Sequence, residues 1–134
     1  MKITADTNVL VRATTGDDAR QSRIAMDALA RAEIVALTLP ALCELVWVLL
    51  RGYKIPADEI AEGVRKLVDG ANVVVNRPAV EAGLALLAAG GDFADGVIAF
   101  EGAWLGGEAF VSFDKQATRL LEARGVSARL LSQA

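Results

Sequence analysis

Ala109-Phe-Val-Ser-Phe-Asp114 is a short apolar run, rich in aromatic and β-branched residues, that ends on an acid. It leads into Asp114-Lys-Gln-Ala-Thr-Arg-Leu-Leu-Glu-Ala-Arg-Gly125, which has helical spacing and a glycine stop, and then into Val126-Ser-Ala-Arg-Leu-Leu131. The three pieces read as a strand over 109–113, a helix over 114–124 and a last strand over 126–131. A strand that returns through a helix to another strand forms a parallel pair. The same alternation runs back through the chain. Residues 2–5 read as a first strand running straight into Asp6. Asp17 and Asp18 open a helix reaching about Ala32, with Ile24, Ala25, Ala28 and Leu29 on one face. Residues 34–37 read as a strand. Pro40 suits the first position of a helix carrying 41–51, stopped by Gly52. After Pro56 a helix places Ile60, Val64, Leu67 and Val68 on one side and stops at Gly70. The β-branched run 73–75 reads as a strand buried on both faces. Pro78 opens a helix ended by Gly90 and Gly91, and 92–105 is helical. The class is α/β: a mainly parallel sheet with helices on both faces.

The 134 residues fit one domain with a substantial core, and a chain 54% hydrophobic and 23% charged is neither disordered nor of low complexity. Its longest apolar run, from Leu45 to Leu50, is far too short to span a membrane. Asp6 interrupts any leader-like apolar stretch, and one cysteine, Cys43, makes no internal disulfide, so the expected location is the cytoplasm. There is no histidine. That excludes Ser-His-Asp and Cys-His chemistry and the usual zinc sites. Hydrolysis by this chain has to use carboxylates, directly or through a hard cation such as Mg²⁺ or Mn²⁺. A net charge of −3 is unusual for a nucleic-acid binder. A bound cation would answer it locally, with Arg12, Arg20, Arg23, Arg51, Lys54 and Lys115 as candidates to line an approach.

Four acids stand out. Asp6 and Asp114 each follow a strand, and in open parallel sheets ligands bind beyond the carboxyl ends of the strands. Glu44 interrupts the apolar run Leu39-Pro-Ala-Leu-Cys-Glu-Leu-Val-Trp-Val-Leu-Leu50, with no cation three or four positions away. Buried there, it needs a partner or a metal; at the margin of the surface, or reached by Arg51, it needs neither. Asp92 and Asp95 share one helical face if the helix has begun by Asp92. Asp92, Asp95 and Asp114 also suit helix N-termini as simple caps. Together the acids fit a site where crowded carboxylates hold a cation. Such a cation neutralises a phosphodiester and carries water to it.

At these residues the sequence resembles the PIN-domain proteins, specifically the VapC-type toxin ribonucleases of bacterial toxin–antitoxin pairs. The resemblance rests on Ile3-Thr-Ala-Asp-Thr-Asn-Val-Leu-Val-Arg12, Glu44, Asp92-Phe-Ala-Asp-Gly-Val-Ile-Ala99 and Val111-Ser-Phe-Asp-Lys115, in that order, across essentially the whole chain. It implies that residues 1–134 form one α/β/α sandwich cleaving RNA endonucleolytically with Mg²⁺ or Mn²⁺. Asp6, Asp95 and Asp114 would then be metal ligands, directly or through water, and Glu44 would complete the quartet. Asn8 and Ser112 would be supporting hydrogen-bonders, with Asp92 an extra acid. The resemblance also implies a homodimer silenced by a small VapB-like antitoxin. Gly96 stands where the family more often has alanine, and Ser112 where it more often has threonine.

Two rivals remain at this point. A receiver-type phosphorylation switch also binds Mg²⁺ at strand ends, but it needs an acidic pair after the first strand and an acid after the third. Here Asp6 stands alone and the run 73–75 meets Asn76. A PIN-like module that binds a partner without cutting is the other.

Overall fold

Lys2–Thr4 forms β1, and its end at Asp6 starts α1, Thr7–Thr15, a helix that the strand–helix reading of the sequence passed over. The computed structural model describes residues 1–132. The boundaries of α1 are chemical. The Asp6 carboxylate caps its first turn, and Gly16 closes it in the left-handed region at φ 68°, where a side chain would be strained. Thereafter come α2 (Ala19–Arg31), β2 (Ile34–Ala36), α3 (Leu39–Trp47) and a π-helical turn (Val48–Gly52). Then follow α4 (Ala57–Val68), β3 (Val73–Val74), α5 (Arg77–Ala88), α6 (Phe93–Trp104), β4 (Phe110–Ser112), α7 (Lys115–Ala123) and β5 (Ala128–Leu130). The α/β class expected from the sequence is the class observed, and all strand pairs are parallel.

The chain divides into two compact units, Met1–Arg77 and Pro78–Ala134. In the first, β1, β2 and β3 form a parallel sheet in that order, and α1 packs on α2 and α3. Central Val35 is 1% exposed. Val74, on the edge strand β3, is 56% exposed, so this strand is not buried on both faces. Helix α2 turns Ser22, Ala25 and half-buried Leu29 inward and leaves Ile24 at 61% exposure and Ala28 exposed. The face expected from Ile24 and Ala28 is therefore rotated. Spacing locates a stripe, but the neighbour that covers it decides which residues are buried. The Asn72 side chain donates to the carbonyls of Leu29 and Ala32, both at 2.9 Å, satisfying acceptors left open at the end of α2.

In the second unit β4 pairs with β5, and α7 packs on both. The strands preceding Asp6 and Asp114 thus belong to separate ladders, so strand pairing does not supply the shared sheet edge expected for the two acids. Helix α5 approaches α6 closely. A Cβ on Gly96 would lie 2.5 Å from the Ala82 carbonyl oxygen and 2.9 Å from Gly83 Cα, and a Cβ on Gly83 would strike Phe93 and Val97. Glycine at 96 costs helix propensity, but it is what lets the two backbones meet. No helix among the described residues is long and apolar enough to cross a membrane.

Candidate functional site

Asp6 stands where β1 gives way to α1. Its Oδ1 accepts the Thr7 amide at 2.8 Å. Beside it is a pocket of ≈ 350 Å³ lined by Asp6, Thr7, Asn8, Val11, Arg12, Glu44 and Val48. The first unit therefore brings together four of the residues singled out in the sequence, Asp6, Asn8, Glu44 and Arg12. Glu44 itself is exposed. Its neighbours Leu42, Leu45 and Val46 are buried, so α3 is amphipathic at this point and the carboxylate lies on its open side. The cost of burying an unpaired acid does not arise for Glu44. What distinguishes it is the pocket it shares with Asp6.

The second unit gathers the other acids. Asp92 is the N-cap of α6, its Oδ1 accepting the Ala94 amide at 3.0 Å. Asp114 is the N-cap of α7, its Oδ1 accepting the Ala117 amide at 3.0 Å. Ser112 Oγ accepts the Asp114 amide at 2.9 Å, holding the backbone from which this acid projects. Asp95 lies in the first turn of α6, half-buried, and its carboxylate accepts no hydrogen bond among the described residues. Burial raises its pKa above the ordinary carboxylate value, and the charges of Asp92 and Asp114 raise it further. That interaction places Asp95, Asp92 and Asp114 in one electrostatic neighbourhood.

Capping and ligation are compatible in this arrangement. Asp6, Asp92 and Asp114 each cap a helix through Oδ1, which fixes the side chain, while Oδ2 accepts no hydrogen bond among the described residues. None of the five acids forms an ion pair with a lysine or arginine there. The donors are carboxylate oxygens alone, without histidine or thiolate, and this set suits Mg²⁺ or Mn²⁺ over zinc. Among the described residues no three acids are drawn together into a ready-made metal cage. Mg²⁺ keeps several of its waters and needs only one or two protein carboxylates, so the acids fit it without such a cage.

The sequence missed one feature. Arg12, on the pocket wall, is bonded to Asp17, which in turn is held by Tyr53. Asp17 reads locally as the start of a helix, and no short-range signal links it to a tyrosine 36 positions on.

Compared with models of known protein families, residues 3–122 match the PIN domain. None of the curated proteins compared with the chain matches it.

Proposed function

The chain belongs to the PIN domain family, a nuclease-type fold, and from that premise we propose that it is an Mg²⁺- or Mn²⁺-dependent endoribonuclease, the toxin of a type II toxin–antitoxin pair. The observation that carries the reading is the set of acids without cationic partners: Asp6 and Glu44 on one pocket, and Asp95 beside Asp92 and Asp114. By this reading Asp6 and Glu44 of the first unit, and Asp95 and Asp114 of the second, are metal-site residues, acting directly or through water. When bound, the cation would neutralise charge on the scissile phosphate and lower the pKa of an attacking water. The chain's own contribution is positional. Helix amides fix Asp6 and Asp114, and Ser112 steadies the backbone at Asp114. Half-burial of Asp95 makes its negative charge costly until a cation compensates it. By the same reading the protein works as a homodimer and is silenced by a VapB-like antitoxin. The receiver-type alternative lacks its acid, because β3 is followed by Val75 and Asn76.

The test is cleavage of a structured RNA by purified protein in Mg²⁺ or Mn²⁺, then in chelator, beside Asp6→Asn. Asparagine caps a helix as well as aspartate does, so this variant keeps the fold of α1 and loses only the charge. Activity is expected to vanish in the variant and in chelator. Cleavage persisting in either, or acid-labile phosphorylation without cleavage, would overturn the reading.

A further inference from the structure

Arg12 shares its pocket with two carboxylates, Asp6 and Glu44, yet pairs with neither. Its Nη1 donates instead to Asp17 Oδ1 at 2.8 Å, outside the residues that line the pocket. Asp17 is held in turn. Tyr53 Oη donates to its Oδ2 at 2.7 Å, and the Thr15 hydroxyl lies 2.8 Å from its Oδ1. Tyr53 follows the π-helical turn at the end of α3, where its amide reaches back five residues to the Val48 carbonyl. The side chains of Arg12 and Asp17 are 35% and 42% exposed. Ion pairs this open to solvent contribute little to stability, so folding alone does not account for Arg12 and Tyr53 converging on one carboxylate. What the arrangement does is fix a guanidinium at the wall of an acidic pocket by one of its nitrogens. The rest of its donor fork bonds no other side chain among the described residues, and that fork matches the oxygens of a phosphodiester.

We infer that Arg12 is a ligand for the RNA phosphate backbone, and that Asp17, clamped by Tyr53, is a positioning residue that keeps Arg12 from collapsing onto Asp6 and Glu44. The inference rests on the nuclease reading above and assigns the substrate contact within the same pocket. Released from Asp17, the guanidinium would still feel Asp18, but it would be free to turn to the two acids that line its own pocket. It would then be lost to the substrate and would compete with a cation for the carboxylates.

This coupling predicts two separable effects. Binding of a 2′-O-methyl oligonucleotide, which cannot be cut, is read by fluorescence anisotropy, and Mn²⁺ affinity by calorimetry without RNA. Arg12→Ala should weaken oligonucleotide binding about 10-fold, as expected for a lost charge-assisted pair, and leave Mn²⁺ affinity unchanged or tighter. Asp17→Asn should weaken both. Tyr53→Phe should do so more mildly, and it tests the clamp should Asp17→Asn fail to fold. In the double variant Arg12→Ala/Asp17→Asn, Mn²⁺ affinity should recover, because the competing guanidinium is gone. Arg31→Ala, which removes the same charge from an exposed pair with Asp27, serves as the control and should bind like wild type. Unchanged oligonucleotide binding by Arg12→Ala, or Mn²⁺ affinity in Tyr53→Phe equal to wild type, would overturn this inference alone. A wild-type protein that binds neither oligonucleotide nor Mn²⁺ would overturn the nuclease reading with it.

Discussion

Gly96→Ala and Gly102→Ala place the same methyl group on the same helix, α6, and should have opposite effects. On helix propensity alone either change favours the folded state by about 1 kcal/mol. At Gly102 nothing lies within 4 Å of the added Cβ, so the gain is expected in full. At Gly96 the Cβ would sit 2.5 Å from the Ala82 carbonyl oxygen, 2.9 Å from Gly83 Cα and 3.0 Å from the Ala82 carbonyl carbon. All three are backbone atoms of α5, which no rotamer change can move aside. Overpacking of this kind costs about 1–3 kcal/mol, so after subtracting the propensity gain the net loss is up to about 2 kcal/mol. At roughly 4 °C per kcal/mol for a chain of this size, Gly102→Ala should melt up to about 4 °C above wild type and Gly96→Ala up to about 8 °C below it. Thermal and urea unfolding in chelator, followed by circular dichroism, measure both. Gly96→Ala should also lose RNA cleavage, since Asp95 is the preceding residue. If Gly96→Ala proved as stable as Gly102→Ala, the close approach of α5 and α6, and with it the explanation of this glycine, would be wrong.

Three other outcomes follow from individual groups. The raised pKa of Asp95 means that its folded form favours the protonated carboxyl, a contribution present at low pH and lost as pH rises through the folded value. Asp95→Asn should therefore raise the melting temperature of the metal-free protein at pH 7, and the difference should fade as pH falls below the ordinary carboxylate range. The Asp17 carboxyl is held down to about 2, chiefly by the Tyr53 hydroxyl, then by Thr15 and Arg12. Its stabilisation is present above the unfolded value of 3.8 and is lost as pH falls towards 2. A carbon-detected NMR titration should place its midpoint near 2 in wild type and higher in Tyr53→Phe; an unmoved midpoint would remove Tyr53 from the clamp. Ser112→Ala removes the acceptor of the Asp114 amide, which should cost about 1 kcal/mol in urea unfolding and slow cleavage, whereas Ser112→Thr should retain both.

The parts of the fold that the sequence revealed are those governed by local chemistry. Asp18 caps α2, Gly125 follows the end of α7, and Asp92 and Asp114 begin helices close to where spacing placed them. Helix α1 is also set by local chemistry: Asp6-Thr-Asn reads first as a site, but Asp6 is at the same time a cap, followed ten residues later by the stop Gly16. Exposure was the harder property. Ile24 and Val74 carry strand- and core-like side chains, yet Ile24 lies on the open side of α2 and Val74 on the edge strand β3, and both face solvent. Glu44 shows the same limit from the other direction. An acid among apolar residues looks buried in a linear sequence, whereas α3 turns it outward to the pocket that Asp6 also lines. The hydrogen bond from Tyr53 to Asp17 joins residues 36 apart and depends on a π-helical turn for which nothing in residues 48–52 provides a signal. The identities of the acids were legible throughout; their partners, or lack of them, required three dimensions.

The most direct test of the central claim is single-turnover cleavage of a structured RNA in Mn²⁺ by Asp6→Asn and by Asp95→Asn, with folding of each variant checked by its melting curve. Removing a group that merely orients a ligand costs about 10- to 100-fold, so loss of an acid that holds the cation should slow cleavage by at least about 100-fold in both folded variants. Wild-type rates in either variant would contradict the assignment of these acids to a metal-dependent nuclease.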